Sequence, residues 1–304
     1  MEILKNKFLM IGGIFAILAV ILWSLVSAVL PQPFKIAFLD VGQGDSILIR
    51  TREGKNVLID GGPDKTVLYK LEKYLPWYDR NIDAMILTHP HADHLIGLIE
   101  TIKRYKVERI VSTGVVHTTP EYLEWLNLIK AKKIPTESFK KSDRIEIGDR
   151  IDLIALSPER SMVGEQTEDL NNSSLVLLLQ TSSEKILLMG DAEDPIEKEL
   201  IQNYSSVLRS SDERVNKNLL NINIENIDIL KVGHQGSRNG TSKDFLSIVR
   251  PEYAVIFAGL NNRFGHPHLD TLKRLHDSGA KILRTDENGD IVFTITKSGL
   301  EFHK

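Results

Sequence analysis

The chain has 304 residues, of which 42% are hydrophobic, and its formal net charge is −3. This length suffices for one large core or two smaller ones, and the charge by itself does not indicate a nucleic-acid binder. Cysteine is absent, which excludes disulfides and thiolate chemistry, so any metal site depends on His, Asp and Glu side chains.

The N-terminal segment has the pattern of a membrane-spanning helix. Lys5 and Lys7 precede an uncharged, apolar run from Phe8 to Leu30, which is long enough to cross a bilayer. The two lysines favour an extracytoplasmic body. A cleaved signal peptide is the alternative, although the length of the run favours a retained anchor. We therefore expect residues 1–33 to be a single-pass cell-membrane anchor and residues 34–304 to be an extracytoplasmic domain, secreted if the anchor is cleaved.

Beyond residue 33, short β patterns alternate with helical patterns, as in a mixed α/β domain. The expected strands, in chain order, are FKIAFLDV, SILIR, NVLID, DAMILT, DRIDLIALS, SSLVLLLQT, EKILLMGD, IDILKVG, YAVIFAG, KILRT and DIVFTIT. The expected helices are KTVLYKLEKYLPW, HLIGLIETIKRY, EYLEWLNLIKA, SKDFLSIVR and LDTLKRLHDSG. The Ser/Asn-rich stretch 203–226 is expected to be a surface excursion. Two α/β halves of this kind fit a layered αββα sandwich.

The stretch MILTHPHADHLIGL places His89, His91, Asp93 and His94 within six residues. Divalent ions such as zinc bind neutral imidazoles and carboxylates, and a compact loop can direct such groups into one pocket. The spacing predicts that His89 and His91 face one ion, while Asp93 and His94 face a neighbouring ion. An accident of composition on a solvated loop is the weaker alternative, because His occupies only 9 of the 304 positions.

Two further predicted strands end in candidate ligands. ILLMGD ends in Asp191, a carboxylate suited to bridge two cations, and ILKVGHQGS ends in His234. The glycines around His234 let the backbone approach a ligand closely. Either residue could be structural, but three such clusters at strand ends in one chain favour metal ligation.

Three other polar residues could support such a site. Asp60 follows a strand in VLIDGG, where it could orient a metal-bound imidazole or simply form a turn. In FGHPHLD, His266 precedes Pro267 near a predicted helix start, and His268 stands one step into that helix. The functional interpretation is phosphate contact or proton donation at the pocket rim, and the structural interpretation is helix capping.

Taken together and in order, these motifs resemble the metallo-β-lactamase fold superfamily, and most closely the hydrolase domain of the ComEC competence proteins involved in DNA uptake. The resemblance covers about residues 34–300 and rests on FLDVGQGDSILI, VLIDGG, LTHPHADHLIGL, NNSSLVLL, LLMGD, LKVGHQGS and FGHPH. It implies a four-layer αββα sandwich with a two-metal pocket between the sheets. It also implies Asp60 as a supporting residue and the following ligands: His89, His91, Asp93, His94, Asp191 and His234.

Two departures from the family pattern matter. Many superfamily hydrolases supply a further histidine to the first ion, whereas this chain has DLNNSSLVL there, as ComEC-like domains do. The resemblance then implies a weaker first site, one that uses Asn172 or water, or one that prefers a harder ion such as Mn²⁺. ComEC proteins also carry a multi-helix channel region; with one candidate spanning segment, this chain is not expected to form a channel by itself.

These features predict a membrane-anchored enzyme in which two divalent ions, Zn²⁺ or Mn²⁺, activate a shared water for hydrolysis. Asp93 is expected to hold that water and His266 to contact the phosphate or the leaving group. Asn172, Ser237 and His268 are candidate substrate contacts. The family resemblance favours a phosphodiester substrate such as DNA. Clusters of lysine and arginine could steer a polyanion or be ordinary solvated surface, and no obligate protein partner is inferred.

Two other functions stay open on the sequence. The same water could serve a carboxyl-ester, thioester or β-lactam hydrolase, although the missing first-site histidine argues against this. A non-catalytic anchored binding module is the other possibility, and the intact set of ligand candidates argues against it. Metal analysis of the protein separates this last possibility from the enzymes.

Overall fold

The computed structural model describes residues 2–29, 33–148, 151–209, 222–296 and 298–303. The helices in these ranges are α1 (Glu2–Val29), α2 (Thr66–Tyr74), α3 (Ala92–Arg104), α4 (Pro120–Lys132), α5 (Asp194–Arg209), α6 (Lys243–Val249), α7 (Leu269–Asp277) and α8 (Thr285–Asn288). Short 3₁₀ turns occupy Asn171–Ser173 and Gly233–Gly236.

The strands in the same ranges are β1 (Phe34–Phe38), β2 (Ile47–Arg50), β3 (Asn56–Ile59), β4 (Asn81–Ile82), β5 (Ala84–Ile86), β6 (Lys106–Val107), β7 (Ile110–Ser112), β8 (Thr136–Ser138), β9 (Arg144–Gly148), β10 (Ile151–Ser157), β11 (Val176–Gln180), β12 (Lys185–Leu188), β13 (Ile229–Lys231), β14 (Tyr253–Ile256), β15 (Lys281–Arg284), β16 (Ile291–Thr296) and β17 (Gly299–His303). Over the described ranges they form an eight-stranded sheet in the order β17-β16-β1-β2-β3-β5-β7-β8, a seven-stranded sheet in the order β15-β14-β13-β12-β11-β10-β9, and the pair β4-β6.

Alternating side chains along the strands build three apolar layers. In β1, Ile36 and Phe38 face the seven-stranded sheet and join the core between the two sheets. Ala37 packs on the other side of the strand, in a cluster with residues of α2, α3 and α4. A third cluster joins the outer face of the seven-stranded sheet to α5, α6 and α7. These three layers, helices outside two facing sheets, are the αββα sandwich that the sequence predicts. Each fully buried large apolar side chain in them contributes about 1.5–3 kcal/mol to its stability.

A close backbone contact fixes the start of α3, and with it the loop that precedes the helix. The Gly97 amide donates to the Gly62 carbonyl at 3.0 Å, and the Gly61 amide donates to the His94 carbonyl at 2.8 Å. A Cβ atom added to Gly97 would lie 1.8 Å from the Gly61 oxygen, so a glycine is required there. The first turn of α3 is thereby held against the loop that follows β3.

Several local predictions need correction or extension. Residues 203–226 are not wholly an irregular excursion, because α5 continues to Arg209; residues 210–221 lie outside the described residues. The strands β4 and β6 have two residues each, too few to show a pattern. The terminal strand β17 is not among the expected strands, although Leu300 and Phe302 alternate with polar residues in it. The predicted boundary at residue 33 stays a prediction.

The predicted membrane span is not supported by the structure. A helix of 28 residues, α1, does occupy the N-terminal segment. Within the described part of the chain, however, no helix combines the length and the apolar character needed to traverse a bilayer.

Candidate metal centre

Three predicted ligands from the two sheets meet at the ends of β5 and β12. The ligand atoms of His89, His94 and Asp191 lie within 4.8 Å of one another, and all three residues are buried. Asp191 Oδ2 lies 3.2 Å from His94 Nε2 and 3.9 Å from His89 Nε2. Among the described residues, Asp191 Oδ1 is buried without a hydrogen-bond partner. Imidazole nitrogens that converge on an incompletely bonded carboxylate form a donor set that fits divalent cations.

Asp60 orients the His94 ring. Its carboxylate contacts His94 Nδ1 at 2.8 Å and accepts hydrogen bonds from the Thr88 amide at 2.9 Å and the Thr88 hydroxyl at 2.7 Å. Asp60 has a φ of +55°, a left-handed conformation that Asp and Asn tolerate better than most residues. With Nδ1 bonded to Asp60, His94 presents Nε2 to the centre, the arrangement in which a carboxylate fixes a ligating histidine.

Ser174 links the other two ligands of this group. Its hydroxyl lies 3.3 Å from His89 Nδ1 and accepts the Asp191 amide at 3.1 Å. His89 Nδ1 also lies 3.1 Å from the Thr88 hydroxyl, and its Nε2 lies 2.9 Å from His91 Nδ1. The NNSS segment, where the sequence lacks the further histidine of many superfamily members, therefore contributes a hydroxyl that supports His89 and Asp191.

The charges of the centre are set by burial and by close carboxylates. Burial, reinforced by His94, holds the pKa of His89 well below its ordinary value, so the ring is neutral and suited to ligation. For His94, burial lowers the pKa, but Asp191 and Asp60 outweigh it and raise the pKa well above the ordinary value. Burial likewise opposes ionisation of Asp191, yet His94 and Lys231 hold the pKa of that carboxyl well below its ordinary value.

A buried ion pair lies beneath the metal ligands. The ammonium group of Lys231, which is 0% exposed, contacts Asp45 Oδ2 and donates to the Gly190 carbonyl at 2.5 Å. It also lies 3.6 Å from Asp191 Oδ1. Ligand atoms of Asp45, Asp60 and His94 form a second close group, but the Lys231 ammonium already supplies its positive charge. We therefore do not assign a cation to that group.

Asp93 and His234 border the centre on its more open side. Asp93 Oδ2 accepts a hydrogen bond from the Gln235 side chain at 2.9 Å and lies 3.8 Å from His94 Nε2. His234 has a φ of +41°, and its Nδ1 lies 2.7 Å from Glu193 Oε1. For His234, burial lowers the pKa, but Glu193 and Asp191 outweigh it and raise the pKa. Glu193 therefore orients His234 as Asp60 orients His94.

The predicted substrate contacts occupy different positions around this site. The Asn172 side chain accepts the Glu193 amide at 3.0 Å and donates to Asp169 at 2.9 Å, while the neighbouring Asn171 lies 3.3 Å from His234 Nδ1. Ser237 donates to Glu193 at 2.9 Å.

The two rim histidines differ in their environment. His268 is the N-cap of α7, not a residue within it, and its ring accepts the Asp270 amide. The ring of His266 lies 5.3 Å from the ring of His234, which places His266 beside the predicted ligands. Burial and the charge of His234 lower the pKa of His266.

Several supporting residues were not singled out by sequence reasoning. Ser174 and Glu193 are polar residues next to strand ends, and nothing in their local pattern distinguishes them from turn residues. Lys231 is different, because a lysine within the apolar run ILKVG already signals a buried charge that needs a carboxylate partner. The identity of that partner, Asp45, depends on how the two sheets pack.

The fold and the site together define a metallo-hydrolase architecture, and comparison with known proteins establishes the family. The model of the metallo-beta-lactamase superfamily matches residues 39–259. The chain belongs to this superfamily.

Its relatives include competence proteins. The chain is 29% identical to ComE operon protein 3 of Bacillus subtilis, over 95% of this chain and 36% of that protein. It is 28% identical to competence protein ComA of Neisseria gonorrhoeae, over 86% of this chain and 32% of that protein. Recombination protein 2 of Haemophilus influenzae is 26% identical over 89% of this chain and 30% of its own length. The chain thus spans about a third of the length of these relatives.

Two solved structures show the same fold at low identity. One is CmlA, a diiron beta-hydroxylase from Streptomyces venezuelae, with a TM-score of 0.55 and 14% identity over 87% of this chain and 54% of that one. The other is Igni18, a metallo hydrolase from the archaeon Ignicoccus hospitalis, with a TM-score of 0.50 and 12% identity over 85% of this chain and 98% of that one. At such identities the likeness concerns the fold alone.

Proposed function

We propose that this chain is a metal-dependent phosphodiesterase that cleaves nucleic acid, DNA in particular. The observation that carries the hydrolase assignment is the convergence of His89, His94 and Asp191, with Asp191 Oδ1 buried and without a hydrogen-bond partner among the described residues. The similarity to competence proteins and to a recombination protein supports nucleic acid as the substrate class.

The residues around the centre have separable roles. His89, His91, His94, Asp191 and His234, with Asp93 beside them, would hold two divalent cations, Zn²⁺ or Mn²⁺. Cations at such a site lower the pKa of water and neutralise charge on phosphate oxygens. The first four of these residues stand close together in the structure, and Glu193 leaves His234 Nε2 as the nitrogen available for ligation.

Two residues on the open side face the substrate. Asp93 has a side chain that is 35% exposed and is held by Gln235, so it can accept a proton from the attacking water and orient it. His266 stands beyond His234 and contacts the leaving side of the phosphodiester. Membrane anchoring and an extracytoplasmic location stay predictions from the sequence, and the chemistry requires neither.

The test uses the full chain, incubated with Mn²⁺ or Zn²⁺ and with single-stranded DNA, double-stranded DNA, bis-p-nitrophenyl phosphate or nitrocefin. We expect phosphodiester cleavage that EDTA abolishes and that His91→Ala removes. His117→Ala is the matched control, because His117 contacts Thr119 away from the predicted ligands, and it should retain the activity.

Two results would contradict this function. Cleavage of nitrocefin or an ester that depends on His91, with intact phosphodiesters, would identify a carboxyl-ester or lactam hydrolase. A protein that binds neither metal and cleaves no substrate would be a non-catalytic binding module.

A further inference from the structure

An exposed loop stands at the rim of the metal centre, between β14 and α7. It covers residues 259–266 and is here called the rim loop. Leu260 is 77% exposed and Phe264 is 57% exposed. Two large apolar side chains exposed on one short loop at the edge of a polar site are the kind of apolar grouping found at binding surfaces.

The rim loop is held in shape by one side chain. The Asn262 amide group donates to the Gly259 carbonyl at 3.0 Å and to the His266 carbonyl at 2.5 Å. Its oxygen accepts the amides of Phe264 at 3.2 Å and of His266 at 3.1 Å. Asn262 therefore ties both ends of the turn together, and a ring presented by such a pre-organised loop loses little conformational entropy when a ligand binds.

A row of rings leads from the centre to the surface along this loop. The ring of His266 lies 5.3 Å from that of His234, and the ring of Phe264 lies 6.1 Å from that of His266 at an interplanar angle of 28°. The guanidinium carbon of Arg263 lies 5.0 Å from the Phe264 ring centroid. The exposed ring of Phe264 and the guanidinium group of Arg263 are thus separated from the predicted ligand His234 by one ring, that of His266.

We propose that Phe264 and Arg263 form a stacking platform for an unpaired nucleobase of a single-stranded polynucleotide whose phosphate enters the metal centre; the substrate class rests on the function proposed above. Aromatic rings and guanidinium planes stack on any base, and the guanidinium also attracts the adjacent phosphate. A duplex keeps its bases stacked inside and cannot use such a platform, so the site favours unpaired strands.

The first test measures equilibrium binding of a fluorescein-labelled single-stranded oligodeoxynucleotide to the full chain in EDTA, which prevents cleavage. Base–aromatic stacking of about 1–3 kcal/mol per base corresponds to a Kd for Phe264→Ala that is raised roughly 5- to 150-fold. Phe264→Trp should bind as the unaltered protein does. Trp77→Ala removes an exposed ring outside the rim loop and should not change the Kd more than about twofold.

A second arm repeats the binding with an oligonucleotide whose bases are replaced by abasic sites. The difference between the unaltered protein and Phe264→Ala should then vanish. An unchanged Kd for Phe264→Ala on the normal strand, or an equal loss on the abasic strand, would overturn the platform. If the unaltered protein cleaves no phosphodiester yet Phe264→Ala still weakens binding in a base-dependent way, the proposed function fails and the platform stands.

Discussion

Replacing Asp60 by asparagine is expected to change which nitrogen of His94 carries the proton. Asp60 accepts three hydrogen bonds: Thr88 supplies two, and His94 Nδ1 supplies one. An amide that keeps its oxygen on the Thr88 amide must turn its NH₂ group toward His94 Nδ1. In the neutral ring that metal ligation requires, Nδ1 then accepts, Nε2 carries the proton, and Nε2 loses the lone pair that a cation would bind. Asparagine tolerates the φ of +55° at this position, so the backbone is not strained.

The expected effect is a 10- to 100-fold loss in metal affinity, roughly the effect of removing the group that orients a ligating histidine. Competition with a chromophoric chelator for Zn²⁺ and Mn²⁺ measures it, with far-UV circular dichroism to confirm that the variant folds. Thr88→Val is the comparison variant: it removes one hydroxyl from Asp60 and from His89 Nδ1 but leaves the contact of Asp60 with His94, and it should lose less affinity. An Asp60→Asn protein that binds both metals within twofold of the unaltered protein would refute the assignment of Nε2 as a ligand atom.

Three further predictions concern stability. Lys231→Met leaves Asp45 buried without its partner and should lower the free energy of unfolding by about 3–5 kcal/mol; urea denaturation in EDTA measures this, and full stability in the variant would contradict it. Gly97→Ala must displace the Gly61 carbonyl and should cost about 1–3 kcal/mol, seen as a lower Tm; an unchanged Tm would show that the contact yields freely. Asp290 precedes β16 and faces α2. Burial opposes its ionisation, but hydrogen bonds from Lys70, Lys73 and Tyr74 of α2 hold the pKa of that carboxyl below its ordinary value of 3.8. The stability that the ionised Asp290 contributes is therefore complete above about pH 4 and is lost as the pH falls through the lowered pKa. Asp290→Asn should lower the free energy of unfolding by about 1–3 kcal/mol at pH 7. The difference from the unaltered protein should shrink progressively in denaturation experiments below pH 4.

The layers of the fold could be predicted because local patterns determine them. Ile36 and Ala37 alternate between two cores, as the period of a strand requires. The apolar runs that end in the His-rich loop and in Asp191 are strands with ligands at their ends, and packing of the two sheets brings those ends together. Sequence order alone could not show that β12 and β5 lie in different sheets.

The support of the site was harder to predict because it depends on long-range pairs. Asp45 lies in the loop before β2 of one sheet and Lys231 lies in β13 of the other, and neither segment alone shows that they meet. The resemblance implies Asn172 as a candidate at the first site, whereas the Ser174 hydroxyl lies 3.3 Å from His89 Nδ1. Only the packing of the 3₁₀ turn decides which of these side chains faces His89. The N-terminal run shows the opposite case, since a strong local pattern predicted a membrane span that the described residues do not support.

The origin of the ligands has a consequence for the lifetime of the protein. His89 and His94 follow β5 of one sheet, whereas Asp191 follows β12 of the other. A cation held by all three would act as a reversible cross-link between the halves of the sandwich, in a chain that has no cysteine to form a covalent one. At 100 times its Kd such an ion adds about 2.7 kcal/mol to the folded state. Resistance to proteolysis would then follow the supply of free metal, and starvation for that metal would remove the protein as well as its activity.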